Sequence, residues 1–306
     1  MKVSVVTTMY RSRSFLAEFY RRALEAVNKL GLTYEFIFVN DGSPDDSLAV
    51  ALDIQKSDRN VMVIELSRNF GHHKAIMAGL REASGDLTFL VDCDLEEEPE
   101  LLISFYNKMN ESESDVVYGV QEKRKGKFSE RFFGSVFYKV FNYFSEQPIP
   151  ENILMARLMK KAYVDELIRF DEKEFFLGAT FATLGFRQSG LTVNKKDKGS
   201  TTYSLRKKVS LMVNAITSTS NKPLVYVFYL GTLISSVSFI FIVAMLIRHF
   251  FFVRLLTGWP SLILSIWLLS GLIILSIGIV GIYLSKIYAE TKHRPTVVVR
   301  KKYIAE

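Results

Sequence analysis

Short apolar runs alternate with stretches of helical periodicity along the first two hundred residues. Val3–Thr8 is a β-branched run ending at Tyr10, after which Phe15, Leu16, Phe19, Ala23 and Val27 recur at helical spacing as far as Gly31. The unit repeats. Phe36–Val39 runs into Asn40-Asp41-Gly42-Ser43 and a helix through Leu52; Val61–Leu66 runs into Ser67-Arg68-Asn69 and a helix through Ala83; Leu87–Val91 then meets Asp92. Strand–helix alternation predicts a mostly parallel sheet, and strands apolar along their whole length predict burial on both faces. Right-handed crossovers set the following loops at one edge of such a sheet, where ligands bind. Thr8, Tyr10, Asp41, Ser43, Ser67, Arg68, Asp92 and Asp94 are therefore expected to converge on one crevice. A further strand, Asp115–Val120, leads into the basic, glycine-containing Gln121–Lys127 and the aromatic-rich Phe128–Phe144.

The pattern changes after Leu205. Leu205, Val209, Met212, Val213 and Ile216 follow helical spacing with Arg206, Lys207 and Lys208 between them, as in an amphipathic helix lying in a membrane interface. Leu224–Ile247 and Pro260–Leu284 carry no Asp, Glu, Lys or Arg, and as helices each can cross the ~30 Å hydrocarbon core. This predicts a catalytic domain over 1–204, a juxtamembrane helix over 205–223, spans at 224–247 and 260–284 joined by an extracytoplasmic turn at 248–259, and a cytoplasmic basic tail over 285–306. Basic residues crowd both outer flanks, while the connector holds Arg248 and Arg254, so both ends of the hairpin are expected in the cytoplasm. The chain opens directly into Lys2–Tyr10, and no signal peptide is expected.

Composition adds two constraints. Cys93 has no second cysteine to pair with, which suits a reducing compartment. The net charge of +7 could draw nucleic acid, but its basic residues cluster beside the spans, where anionic lipid attracts them. Membrane apposition is the reading adopted, with no nucleic-acid partner; homo-oligomerisation is left open.

Asp92-Cys93-Asp94 follows an apolar strand, so two carboxylates one residue apart emerge at the sheet edge, with Glu96, Glu97, Glu98 and Glu100 behind. Hard oxygen ligands suit Mg²⁺ or Mn²⁺ bridging phosphates. By itself the pair is equally compatible with Asp94 capping a helix that begins near Leu95. His72 and His73 follow Gly71 at the start of a helix and are read as nucleotide-pocket or capping residues.

The ordered set Val39-Asn40-Asp41-Gly42-Ser43, Ser67-Arg68-Asn69-Phe70-Gly71, Gly85-Asp86 and Val91-Asp92-Cys93-Asp94-Leu95 resembles family-2 glycosyltransferases of the polyisoprenyl-phosphate type. The likeness extends through Lys198–Tyr203, Asn221-Lys222-Pro223-Leu224 and Thr291-Lys292-His293-Arg294-Pro295. It implies an α/β domain of the GT-A fold and transfer of a sugar from a nucleotide-sugar donor, UDP-hexose first among them, to a polyprenyl phosphate such as undecaprenyl phosphate. It also implies that Thr8, Tyr10 and Asp41 hold the nucleoside, with Arg68 near the diphosphate and Ser43 and Lys74 among the nucleotide-binding residues. Asp92 and Asp94 would address the metal and sugar-diphosphate, and Arg124, in a loop with Lys123, Lys125 and Lys127, the acceptor phosphate. Glu174-Phe175-Phe176 resembles a segment that closes over the substrates.

Two positions depart from that family. Tyr10-Arg11-Ser12 stands where relatives read Tyr-Asn-Glu, and Met155 stands where an acid is sometimes taken as catalytic base, so neither role carries over. A processive polysaccharide synthase is the alternative, but Gln188 lacks the Gln-x-x-Arg-Trp sequel. A catalytically inactive scaffold of the same fold is the other, and the intact Asp41, Asp92 and Asp94 argue against it.

Overall fold

The structure, a computed structural model, describes residues 1–121, 136, 138–145, 149–150, 152–173, 176–193, 205–251 and 259–304. The repeating units fold as the periodicity predicts. β1 (Lys2–Met9), α1 (Arg13–Lys29), β2 (Thr33–Asn40), α2 (Ser47–Ser57), β3 (Val61–Leu66), α3 (His72–Leu80) and β4 (Leu87–Leu90) follow in order. β1, β2, β3 and β4 are parallel, with β1 central between β2 and β4. The chain winds outward through β2 and β3, then crosses over α3 to place β4 on the other side of β1. The strand order thus reverses between β1 and β4, which is where ligand crevices open in wound sheets.

Burial explains the continuous apolar runs. Val3, Val5, Phe36, Phe38 and Phe89 face α1, with Leu16, Phe19, Ala23 and Val27 packed on them, and Leu102 and Phe105 of the following helix join the same core. Val6, Ile37, Val39, Ile64 and Leu90 face the opposite side, against Ala75, Ile76 and Leu80 of α3. Because strand residues alternate between faces, a strand covered on both sides has no polar face to display.

The second half of the sheet is antiparallel in part. α4 (Leu101–Ser112) leads to β5 (Val116–Gln121), then come β6 (Ile153–Lys160), α5 (Lys161–Leu167), α6 (Leu177–Thr183) and β7 (Gln188–Val193). β6 lies antiparallel between β4 and β5, and β7 pairs parallel with β5. Periodicity did not single out β6 or β7.

The chain beyond Leu205 forms α7 (Leu205–Thr219), α8 (Lys222–Phe251) and α9 (Trp259–Thr291). Among the described residues one stretch, Ser265–Thr291 with mean hydropathy 2.3, is long and apolar enough to cross a membrane. The span expected at 260–284 lies mostly within it. The span expected at 224–247 lies in α8, whose described apolar stretch is Lys222–Ile234. Part of the α7 stripe is covered by protein: Ala215 and Ile216 are buried with Phe141, Ile149 and Ala179. Lys286 of α9 donates to Ser218 Oγ at 2.6 Å, and Lys222 donates to Ser145 O at 2.8 Å, so the roots of the helices are tied to the folded domain.

The 285–306 segment is more than a basic tail. After α9 it returns to the sheet as β8 (Val299–Tyr303), antiparallel to β3 at the edge, so the final order is β7-β5-β6-β4-β1-β2-β3-β8. Arg300 and the Tyr303 hydroxyl both donate to Glu65, at 3.0 and 2.9 Å, and Lys302 pairs with Glu82 at 2.8 Å. The sheet therefore draws its last strand from beyond the boundary expected at 204.

Candidate active site

The strand-end residues meet through three linked loops. After β2, Asp41 is buried, and its two carboxylate oxygens accept the backbone N–H groups of Phe70 at 2.7 Å and Gly71 at 3.0 Å. Burial pushes the Asp41 carboxyl above its ordinary value, while those two N–H donors and the charge of Arg68 pull it back. Gly42 must be glycine: its φ is +60°, and a Cβ there would sit 2.5 Å from the Arg68 carbonyl carbon and the Asn69 nitrogen. The loops after β2 and β3 are thus pressed together backbone to backbone.

Arg68 is exposed beside this contact. Its guanidinium lies 4.1 Å from the Phe70 ring centre and donates to Asn69 O at 3.0 Å. The stacking holds an exposed cation at the crevice, in reach of the Asp41 charge. Lys74 stands in the first turn of α3, half-buried, with its backbone N–H on Gly71 O at 3.0 Å.

The loop after β1 is joined to the loop after β2. Arg11, at φ 57°, donates its N–H to Ser43 Oγ at 2.7 Å, and Ser12 donates to Ser47 Oγ at 2.9 Å. Arg13 N–H donates to Asp45, which also accepts the Ser43 and Ser47 hydroxyls. Ser43 is therefore occupied in bracing the loops. Tyr10 is 47% exposed, with the Arg11 guanidinium 5.6 Å from its ring centre.

That brace titrates. Burial raises the Asp45 carboxyl, but the hydroxyls of Ser43 and Ser47 and the N–H groups of Arg13 and Ser47 outweigh it and hold the group at about 2 against an ordinary 3.8. A depressed folded value contributes stability above pH 3.8, and that contribution is lost as pH falls toward 2. Asp45→Asn is accordingly expected to be less stable than the parent at neutral pH and to show a shallower loss between those limits. Acid unfolding followed by circular dichroism checks it, and parallel curves for the two proteins would refute the assignment.

After β4, the side chains alternate as a strand end should. Cys93 points inward, buried, with its Sγ on Thr8 O at 3.2 Å and its thiol pushed up to about 11 by burial. Asp92 and Asp94 are left partly exposed on either side of it. The helix does not begin at Leu95. Leu95 is left-handed at φ 62°, Asp94 Oδ1 accepts the Glu96 N–H at 3.0 Å, and α4 starts at Leu101. Pro99 explains the delay, because proline disfavours helical backbone in the residue before it. Asp94 thus closes a turn rather than capping a helix.

The acidic residues behind the pair have structural partners. Glu97 is buried and accepts the Ala156 N–H of β6 at 2.9 Å, and Glu100 makes a two-pronged contact with Arg22 at 2.7 and 2.6 Å. Beneath them Arg157 is fully buried, its guanidinium 3.3 Å from the Phe181 ring centre and donating to Met155 O and Leu154 O, and burial lowers it to about 10. Met155 is partly buried at the edge of the α3-side core.

His72 enters the site as the periodicity could not show. Its Nδ1 lies 3.0 Å from Thr8 Oγ1 and its Nε2 3.5 Å from Asp92 Oδ1. His73 is turned inward near Phe176, with its ring pushed down to about 4 mainly by burial. Thr8, Asp41, Ser43, Arg68, His72, Asp92 and Asp94 are therefore brought to one edge of the sheet. Arg124 and its lysine neighbours, Glu174 and Phe175 lie outside the described residues.

A wound α/β sheet carries a carboxylate pair at the switch between β1 and β4 and a buried aspartate in the neighbouring loop, a GT-A-like arrangement. The chain belongs to glycosyl transferase family 2, whose model matches residues 4–168. A chain described among the glycosyltransferases of Mycobacterium tuberculosis is 46% identical over 99% of this chain and 89% of its own length. The bactoprenol glucosyl transferase of Shigella phage SfV is 29% identical over 99% of both chains. Among solved structures, mannosyl-3-phosphoglycerate synthase from Rubrobacter xylanophilus aligns with a TM-score of 0.48 at 13% identity, covering 70% of this chain and 71% of that one.

Proposed function

We propose that this enzyme transfers a hexose from a nucleotide-sugar donor, UDP-hexose first among them, to a polyprenyl phosphate such as undecaprenyl phosphate at the cytoplasmic face of a membrane. The observation that carries the reading is that a carboxylate-lined crevice and a long apolar helix belong to one chain, and that this chain matches bactoprenol glucosyl transferases from end to end. α8 and α9 form the membrane hairpin, with both outer ends cytoplasmic by their basic flanks.

The residues fit a divalent cation of the Mg²⁺ or Mn²⁺ kind. Among the described residues no group of three or more His, Cys, Asp or Glu is placed to hold a metal, whereas cations that bridge phosphates use one or two carboxylates and take the rest from phosphate and water. Asp92 and Asp94 supply such a set. When bound, the cation neutralises charge that develops on the departing nucleoside diphosphate.

Tyr10 and the Asp41 loop hold the nucleoside, and Arg68 faces the diphosphate. An acceptor phosphate oxygen attacks the anomeric carbon, the bond from that carbon to the diphosphate oxygen breaks, and the diphosphate leaves with the electron pair. No base is required, because a phosphate monoester with a second pKa of ~6 is mostly dianionic at neutral pH. That accounts for an active site with Met155 at the position of an acid.

Incubating the purified full chain with undecaprenyl phosphate and a panel of nucleotide sugars is the test. Mass spectrometry is expected to show one hexosyl-lipid phosphate, formed from one donor and absent in chelator. A lengthening saccharide would favour the processive reading, and no product from any donor the inactive scaffold.

A further inference from the structure

We propose that His72 is a positioning residue that fixes the Asp92 carboxylate for the cation, with Thr8 as the anchor of its ring. The inference rests on the metal reading above. β1 and β4 are neighbouring parallel strands, so Thr8 near the end of one and Asp92 just past the end of the other flank the point where strand order reverses. His72 is the first residue of α3, the helix that crosses between them on one face of the sheet. Its place is set from behind: Gly71, at φ 100°, donates its N–H to buried Asp41. The helix start is thereby tied to the loop after β2.

The imidazole then bridges the gap. Nδ1 is held 3.0 Å from the Thr8 hydroxyl, and Nε2 on the other side of the ring lies 3.5 Å from Asp92 Oδ1. With Nδ1 held by Thr8, the ring is oriented so that Nε2 faces Oδ1 of the Asp92 carboxylate. Groups that orient a ligating carboxylate from behind are worth roughly 10–100-fold in metal affinity.

The proposal is tested by titrating Mn²⁺ into the detergent-solubilised full chain, alone and with UDP, and reading free Mn²⁺ by electron paramagnetic resonance. His72→Ala is expected to weaken Mn²⁺ binding roughly tenfold or more, and His72→Gln to recover part of the loss because its amide can still donate to Asp92. Thr8→Val is expected to weaken binding less, and the two effects to be non-additive, since removing His72 leaves Thr8 nothing to anchor. Should His72→Ala fail to fold, the Gln and Val variants carry the comparison. Wild-type affinity in His72→Ala, alongside loss of binding in Asp92→Asn, would overturn the positioning role and leave the metal reading intact. Absence of Mn²⁺ binding by the wild type would overturn both.

Discussion

Asp94→Asn is expected to lower the turnover of sugar transfer by ~10²–10³-fold, the size of effect seen when one group that stabilises transition-state charge is removed. The substitution is well suited to isolate charge. Asp94 Oδ1 accepts the Glu96 N–H, and an asparagine carbonyl can accept the same bond, so the turn at left-handed Leu95 keeps its shape. What is lost is the negative charge proposed to face the cation. Because that hydrogen bond is kept, stability read by thermal melting should change by no more than about 0.5 kcal/mol. The control is the wild type in excess chelator, which is expected to fall to the same residual rate. Full activity in chelator would remove the cation from the mechanism, and a normal rate in Asp94→Asn would move its site away from this loop.

Truncation after Val297 is expected to damage the catalytic domain even though every candidate nucleotide-binding residue is retained. β8 covers the open edge of β3, and Ser67, the residue before Arg68, donates its N–H to Val298 O at 2.9 Å. The Glu65 side chain is 11% exposed and would lose both Tyr303 and Arg300. Arg300 is 63% exposed, so its ion pair counts for little. The larger loss comes from the phenol bond to a buried carboxylate and from the strand ladder, on the order of 3 kcal/mol together. For a domain of this size that is roughly 6–12 °C in Tm. Losing the Ser67 bond, worth about 1 kcal/mol, should weaken nucleotide binding roughly fivefold. Differential scanning calorimetry and titration with UDP read the two effects. Parent values for both would show β8 to be dispensable.

The sequence by itself determined the order of the first four strands, the helices between them and the edge at which chemistry collects. Those features are local: a β-branched run such as Val3–Thr8 and a 3.6-residue repeat such as Phe15–Val27 state their own conformation, and parallel crossovers leave one choice of edge. The placement of Asp41, Arg68, Asp92 and Asp94 at that edge was legible for that reason. Tertiary structure alone decided the rest. β6 and β8 pair across tens to hundreds of residues, and nothing in Leu154-Met155-Ala156-Arg157 or Val299–Tyr303 names the strand it will meet. The roles of the acidic run were settled in the same way, since Glu97 and Glu100 find a β6 amide and Arg22 while Asp94 folds back on Glu96. The bridge through His72 depends on bringing Thr8 and Asp92, 84 positions apart in a chain of 306, to adjacent strand ends. A contact of that kind is fixed by sheet register, which arises from packing on both faces at once and leaves no trace in the local period.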